Sequence, residues 1–154
     1  MRKLSKYSNQ NVLEFYRELP FNYYSSVEKQ ASVVKDGEKI LNPYGSLRDE
    51  ILNSNSIIDI GCGAGYLANS ISSIYKKKTV YGIDFNAFAV ERAKDVAKHL
   101  KLNSYFETQD LFDFKPKNKF DLAISIGVLM HTFDCFEWIR RIIKNIIKDK
   151  GSIF

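Results

Sequence analysis

The chain has 154 residues, a net charge of +5 and an apolar share of 45%, with 14% of its residues aromatic. That suits one packed domain, is short for two, and is too apolar for a disordered chain. No apolar run nears the roughly 20 residues that cross a bilayer, the basic start of the chain has no apolar stretch behind it, and Cys62 and Cys135 make no disulfide framework, so the reading is a cytoplasmic protein with free thiols, no membrane association and no secretory signal.

In chain order, residues 9–19 carry a helical pattern that stops at Pro20, and residues 25–35 a second, closed by the turn signal Asp36-Gly37. Pro43-Tyr44-Gly45 marks another turn, and residues 47–52 a short helix. These 53 residues form a helical preface. Its aromatic cluster Phe21, Tyr23 and Tyr24 either lines a ligand cleft, with the two tyrosines as candidate substrate contacts, or anchors the preface to the body.

From residue 54 the pattern alternates. Ser56–Ile60 is a short apolar run entering a turn with three glycines, and residues 64–75 place Leu67, Ala68, Ile71 and Ile74 on one helical face. Thr79–Asp84 is β-branched and aromatic and reads as a strand. Ala87–Leu100 repeats Ala89, Val90, Ala93, Val96, Ala97 and Leu100 at helical period. Ser104–Thr108 and residues 120–126 are strands. Residues 133–147 make a helix whose apolar face is Phe136, Ile139, Ile142/Ile143 and Ile146/Ile147; Gly151 ends it and residues 152–154 open another apolar run. Strand–helix alternation predicts an α/β fold: a Rossmann-like, doubly wound, mainly parallel sheet with helices on both faces and right-handed crossovers.

The residues that carry chemistry sit where such a fold binds ligands. Asp59-Ile60-Gly61-Cys62-Gly63-Ala64-Gly65 lets backbone approach a ligand without side chains in the way, and Asp84 closes the second strand with a carboxylate able to accept from two ribose hydroxyls. A dinucleotide fingerprint wants its third glycine one residue later, where Tyr66 stands. Asp59, two residues before the first glycine, would repel a pyrophosphate and suits a sulfonium or ammonium group.

On these residues the chain resembles the class I S-adenosylmethionine-dependent methyltransferases. Residues 59–65 are similar to the family's first motif, and Tyr81-Gly82-Ile83-Asp84 to its second strand with the ribose-binding acid. Thr108-Gln109-Asp110-Leu111 resembles the loop at the adenine, and residues 120–131 the fourth strand and the turn beside the reactive methyl. The resemblance implies S-adenosylmethionine as cofactor, S-adenosylhomocysteine as product, a small-molecule methyl acceptor and no metal. It implies a cofactor site of Asp59, Gly61, Cys62, Gly63, Gly65, Asp84, Phe85, Asn86, Asp110, Leu111, Ser125 and Ile126. His131 is the candidate general base, or else a residue that caps the following helix or orients the loop. Asp59 and Asp110 have plainer alternatives as turn and loop braces.

Rival functions are an aminopropyl transferase, for which the acid cluster after strand four is missing, and a non-catalytic cofactor-binding remnant. The lysine-rich clusters Lys76-Lys77-Lys78 and Arg140 to Lys150 read as solvated surface, so nucleic acid is not expected as a partner. The family's sixth and seventh strands have no counterpart before residue 154. The expectation is therefore a domain truncated at strand five, pairing with a second copy across the open edge between strands four and five.

Overall fold

The computed structural model describes residues 14–16, 22–132 and 134–154. The first predicted helix (residues 9–19) and Phe21 therefore lie largely outside the described residues, although residues 14–16 are helical. Three helices follow: α1 (Val27–Lys35), α2 (Gly37–Leu41) and α3 (Gly45–Asn53). The remainder runs β1 (Ser56–Ile60), α4 (Tyr66–Ile74), β2 (Thr79–Asp84), α5 (Ala87–Leu100), β3 (Ser104–Thr108), β4 (Phe120–Ile124), α6 (Cys135–Arg141) and β5 (Ile147–Ile153). The strands form one sheet in the order β3-β2-β1-β4-β5, parallel throughout.

Alternation along β1 explains the layers, because successive side chains leave a strand on opposite faces. Ile57 joins Ala68, Ile71, Val90 and Ala93 of α4 and α5 on one face. Ile58 and Ile60 join Trp138, Ile142 and Ile146 on the other. A strand buried on both faces is apolar at nearly every position, and each of these isoleucines contributes roughly 1.5–3 kcal/mol by leaving water. α1 adds a further layer, with Ala31 and Val34 against Val96 of α5. Two local devices hold the preface in place. Ser26 caps α1 by accepting from the Lys29 N–H at 3.1 Å, and the fully buried Gln30 donates through Nε2 to the Ala64 carbonyl at 2.7 Å.

Three expectations are corrected. The helix after β4 begins at Cys135 and passes through one π-helical turn (Ile142–Ile146) into β5. Its buried face is Trp138, Ile142 and Ile146, stepping by four residues, while Phe136 is 76% exposed and Ile139 36%. Packing against the sheet selects this face, which shares Ile142 and Ile146 with the expected one but replaces Phe136 and Ile139 with Trp138. Second, Gly151 lies within β5 rather than ending a helix. Phe120 faces Ile147 but Leu122 already faces Ser152, so residues 148–151 bulge from the ladder. A Cβ on Gly151 would come within 2.9 Å of the Asp121 carbonyl oxygen, so only glycine fits that approach. Third, β5 is paired with β4 through Phe154 N–H to Ala123 O and Ser125 N–H to Phe154 O, both 2.9 Å, which closes the edge expected to be open.

Lys78 is likewise more than solvated surface, since its ammonium donates to the carbonyls of Leu52 and Ser54 at the end of α3. Asp121 braces the opposite end of the sheet from the glycine turn. One of its oxygens accepts from the backbone N–H groups of Asn55 and Ser56 and the Ser56 hydroxyl, and the other meets Lys148 at 2.7 Å. That ammonium, with the three donors behind it, holds the Asp121 carboxyl well below its ordinary range.

Candidate functional site

The strand order reverses at β1, whose neighbours β2 and β4 lead their chains in opposite directions across the sheet, and a crevice opens at the strands' carboxyl ends. It is a cavity of about 590 Å³, bounded by the glycine turn, the ends of β2 and β4, α2 and Tyr16. Gly61, Gly63 and Gly65 all have positive φ (78°, 50° and 76°), the left-handed region that glycine enters without strain. Two of them are also sterically required. A Cβ on Gly61 would meet Val128 Cγ2 at 2.4 Å, and one on Gly65 would meet Ala93 Cβ at 2.7 Å. The turn is tied to β2 by the Gly61 and Cys62 N–H groups, which both donate to the Ile83 carbonyl.

Asp84 is 9% exposed and faces the cavity. One carboxylate oxygen accepts from the Gly63 N–H and the other from the Asn86 N–H, each at 2.8 Å. Each oxygen keeps lone-pair capacity for one more donor. Burial pushes the Asp84 carboxyl up, and the backbone donors at Asn86, Gly63 and Phe85 pull it back. Asp59 is 4% exposed and lines the same cavity. Burial, then the nearby charge of Asp84, raises its carboxyl from 3.8 to about 7, with the Ala68 N–H at the open end of α4 opposing. A carboxyl in that state is poised to ionise when a cation arrives beside it.

Asp110 both braces its loop, accepting from the Phe112 N–H at 2.8 Å, and lines the cavity next to Leu111. Burial raises its carboxyl as well. Asn86 caps α5, its Oδ1 accepting from Phe88 and Ala89 N–H. Cys62 is buried with its thiol toward the Gly63 carbonyl, and burial followed by the charges of Asp59 and Asp84 pushes that thiol up, which makes it a poor nucleophile.

Of the residues singled out from sequence, Asp59, Gly61, Cys62, Gly63, Asp84, Phe85, Asn86, Asp110, Leu111, Ile126 and His131 line this one cavity. Gly65 and Ser125 do not. Gly65 turns the chain into α4, and Ser125 donates its hydroxyl to the Ile60 carbonyl, bracing β4 against β1. Tyr23 and Tyr24 are also placed elsewhere: the Tyr23 ring stacks on Phe88 and lies 4.1 Å beneath the Arg92 guanidinium, which donates to the Tyr24 carbonyl. They anchor the preface. The preface does reach the cavity through Asn22, Lys39, Ile40, Pro43, Tyr44 and Tyr16, the last with its hydroxyl 3.1 Å from His131 Nε2. Cap duty at α6 falls to Asp134, which accepts from the Glu137 N–H, and not to His131. Trp138 and Gln109 line the cavity too, and no spacing rule in the sequence marks either. Among the described residues, no cluster of three or more His, Cys, Asp or Glu could hold a metal, and no helix is long and apolar enough to cross a membrane.

Residues 51–154 match the methyltransferase domain family. The chain belongs to that family. Membership bears out the resemblance carried by the four motifs, and the fold is the Rossmann-like one expected of class I methyltransferases. Curated relatives of this methyltransferase-domain chain include a putative methyltransferase of invertebrate iridescent virus 6, 31% identical over 90 residues, covering 58% of this chain and 30% of that protein. The ubiquinone biosynthesis O-methyltransferase of Pelagibacter ubique is 30% identical over 106 residues, covering 69% and 43%. The chain thus spans less than half the length of these relatives. Among solved structures, coclaurine N-methyltransferase bound to N-methylheliamine and SAH superposes with a TM-score of 0.66 at 17% identity, covering 93% of this chain and 56% of that one. The plantazolicin methyltransferase BpumL, in complex with a monoazolic desmethylPZN analog and SAH, gives 0.63 at 19%, covering 92% and 55%.

Proposed function

We propose that the cavity binds S-adenosylmethionine and that the chain carries the cofactor half of a methyltransferase site acting on a small molecule. The observation that carries this reading is the charge of the wall. The described lining residues include three carboxyls, Asp59, Asp84 and Asp110, against a single lysine, Lys39, which is paired with Asp36 at 2.5 Å. Such a wall repels a pyrophosphate and fits a cationic nucleoside. The residues suit that group part by part: Asp84 accepts from ribose hydroxyls, Asp59 faces the cationic end, and Asp110 with Leu111 borders the adenine. The glycine backbone forms a floor that a side chain at residue 61 would obstruct.

The chemistry supplied by the bound cofactor is a methyl group carried on a sulfonium. The protein's own contribution is to hold an acceptor in line and to exclude water, and such positioning is worth roughly 7–11 kcal/mol in favourable cases. His131 is the proposed base at the cavity mouth, where its ring would take a proton from a hydroxyl acceptor. The curated relatives that are O-methyltransferases favour an oxygen acceptor.

Calorimetric titration with S-adenosylhomocysteine tests the reading. Binding by the wild-type protein, reduced about tenfold or more by Asp84→Asn through loss of charge-assisted hydrogen bonds, is the expected result. Absence of binding would overturn it. Binding without turnover on a panel of hydroxyl, amine and carbon acceptors would leave a cofactor-binding module in place of an enzyme.

A further inference from the structure

Tyr16 is separated from His131 by 115 residues, yet the phenol hydroxyl meets His131 Nε2 at 3.1 Å and the two rings stand edge to face at 5.6 Å. Both residues line the cavity. On the opposite wall the Tyr16 carbonyl accepts from Asn86 Nδ2 at 3.3 Å, so one residue touches both the end of β2 and the turn after β4. Nothing else in the proposed chemistry accounts for a phenol at that place. A base that is to take a proton from an acceptor hydroxyl needs that hydroxyl within hydrogen-bond reach of its ring nitrogen, and here the position is filled by the chain's own phenol.

We propose that the Tyr16 phenol occupies the acceptor's place against His131, so that the acceptor is a hydroxylated aromatic small molecule that enters by exchanging its own hydroxyl for that of Tyr16. This rests on the methyltransferase reading above and gives that reading a substrate class. The exchange is balanced, since one phenol–imidazole hydrogen bond is broken and one is made. The contact lies at the exposed mouth of the cavity, so breaking it gives up only an ordinary net hydrogen bond. Aromatic character is favoured because the incoming ring inherits the edge-to-face contact with the imidazole and the apolar wall of Ile126 and Val128. In this scheme Tyr16 is a positioning residue: until an acceptor arrives it holds the imidazole ring turned into the cavity.

The test uses the full chain saturated with S-adenosylhomocysteine, with phenol and toluene as probes of equal shape. The chain has two histidines, His99 and His131, so ring nitrogen NMR signals are assigned by comparison with His131→Ala. Tyr16→Phe keeps the ring but removes the hydroxyl that meets His131 Nε2. It is expected to raise the affinity of both probes by about three- to tenfold, because either one must displace the Tyr16 hydroxyl in wild type, and to leave phenol ahead of toluene by a similar factor, the value of one neutral hydrogen bond. The His131 ring signal should move in Tyr16→Phe and return on adding phenol. His131→Ala should erase the phenol advantage of Tyr16→Phe. Affinities indifferent to Tyr16→Phe, phenol and toluene binding equally well to that variant, or a His131 signal indifferent to Tyr16→Phe and to phenol, would overturn the proposal. If S-adenosylhomocysteine itself fails to bind, the methyltransferase reading is at fault; if it binds and phenol holds no advantage over toluene, only this inference falls.

Discussion

Replacing Asp59 by asparagine separates a ligand-binding acid from a turn brace. In the free protein, burial and Asp84 hold the Asp59 carboxyl at about 7 instead of 3.8, which disfavours its ionised form by at most about 4 kcal/mol. Between these two values the native state keeps a proton that the unfolded chain has lost. Stability therefore falls as pH rises from about 4 to about 7 and levels off above. Asp59→Asn lacks the charge, so in denaturant unfolding at pH 8 it should be more stable than wild type, by up to that same few kcal/mol, with the difference shrinking toward pH 4. A cationic ligand reverses the sign, because it rewards the ionised carboxyl. Wild-type affinity for S-adenosylhomocysteine should then fall about tenfold per pH unit below 7, with about 0.9 proton released on binding at pH 6. Titrations at pH 6 in two buffers of different ionisation enthalpy read that proton directly. Asp59→Asn should bind more weakly at pH 8 and show neither the slope nor the proton. An identical slope in both proteins, or no proton released by wild type, would refute the role assigned to Asp59.

The remaining predictions concern the turn, the brace and the sheet edge. Gly61→Ala combines a strained positive φ with a 2.4 Å approach to Val128. It should lower stability by about 1–3 kcal/mol and weaken S-adenosylhomocysteine binding; adding Val128→Ala relieves the clash but not the backbone strain, so the double variant should recover part of the stability and no more. Asp121→Asn removes an acid held below its ordinary 3.8 by Lys148 and three donors. It should cost about 1–3 kcal/mol at pH 7, and the gap from wild type should close as pH falls below 4, where that carboxylate's contribution is lost; a gap independent of pH in urea unfolding would contradict the assignment. With β4 covered, pairing of two copies is proposed across the outer edge of β5. Light scattering at micromolar concentration should show a dimer, and a clean monomer would end that proposal.

Local order was written in the sequence wherever one short-range rule sufficed. Strands β2 and β3 and helix α5 fall on the residues expected of them, because β-branched and aromatic runs and the 3.6-residue repeat act within a few positions. The glycine turn was equally legible, since three positive-φ positions near a buried acid admit few alternatives. The helix after β4 was less so: a run of isoleucines offers more than one apolar face, and only packing against the sheet selected Trp138, Ile142 and Ile146 over Phe136 and Ile139.

The sequence by itself determined a parallel α/β sheet, a glycine turn between Asp59 and Asp84, and the kind of cofactor those acids suit. Tertiary structure alone decided which aromatics reach the cavity. Tyr16 and the pair Tyr23 and Tyr24 are all tyrosines of the preface, but one meets His131 and the others meet Phe88 and Arg92. It also decided that Gln30 and Asp121 hold the preface and the sheet together, and that burial beside a second carboxylate raises Asp59. Each of these rests on partners tens of residues away in sequence. The closeness and dielectric that set their effect exist only once the chain has folded.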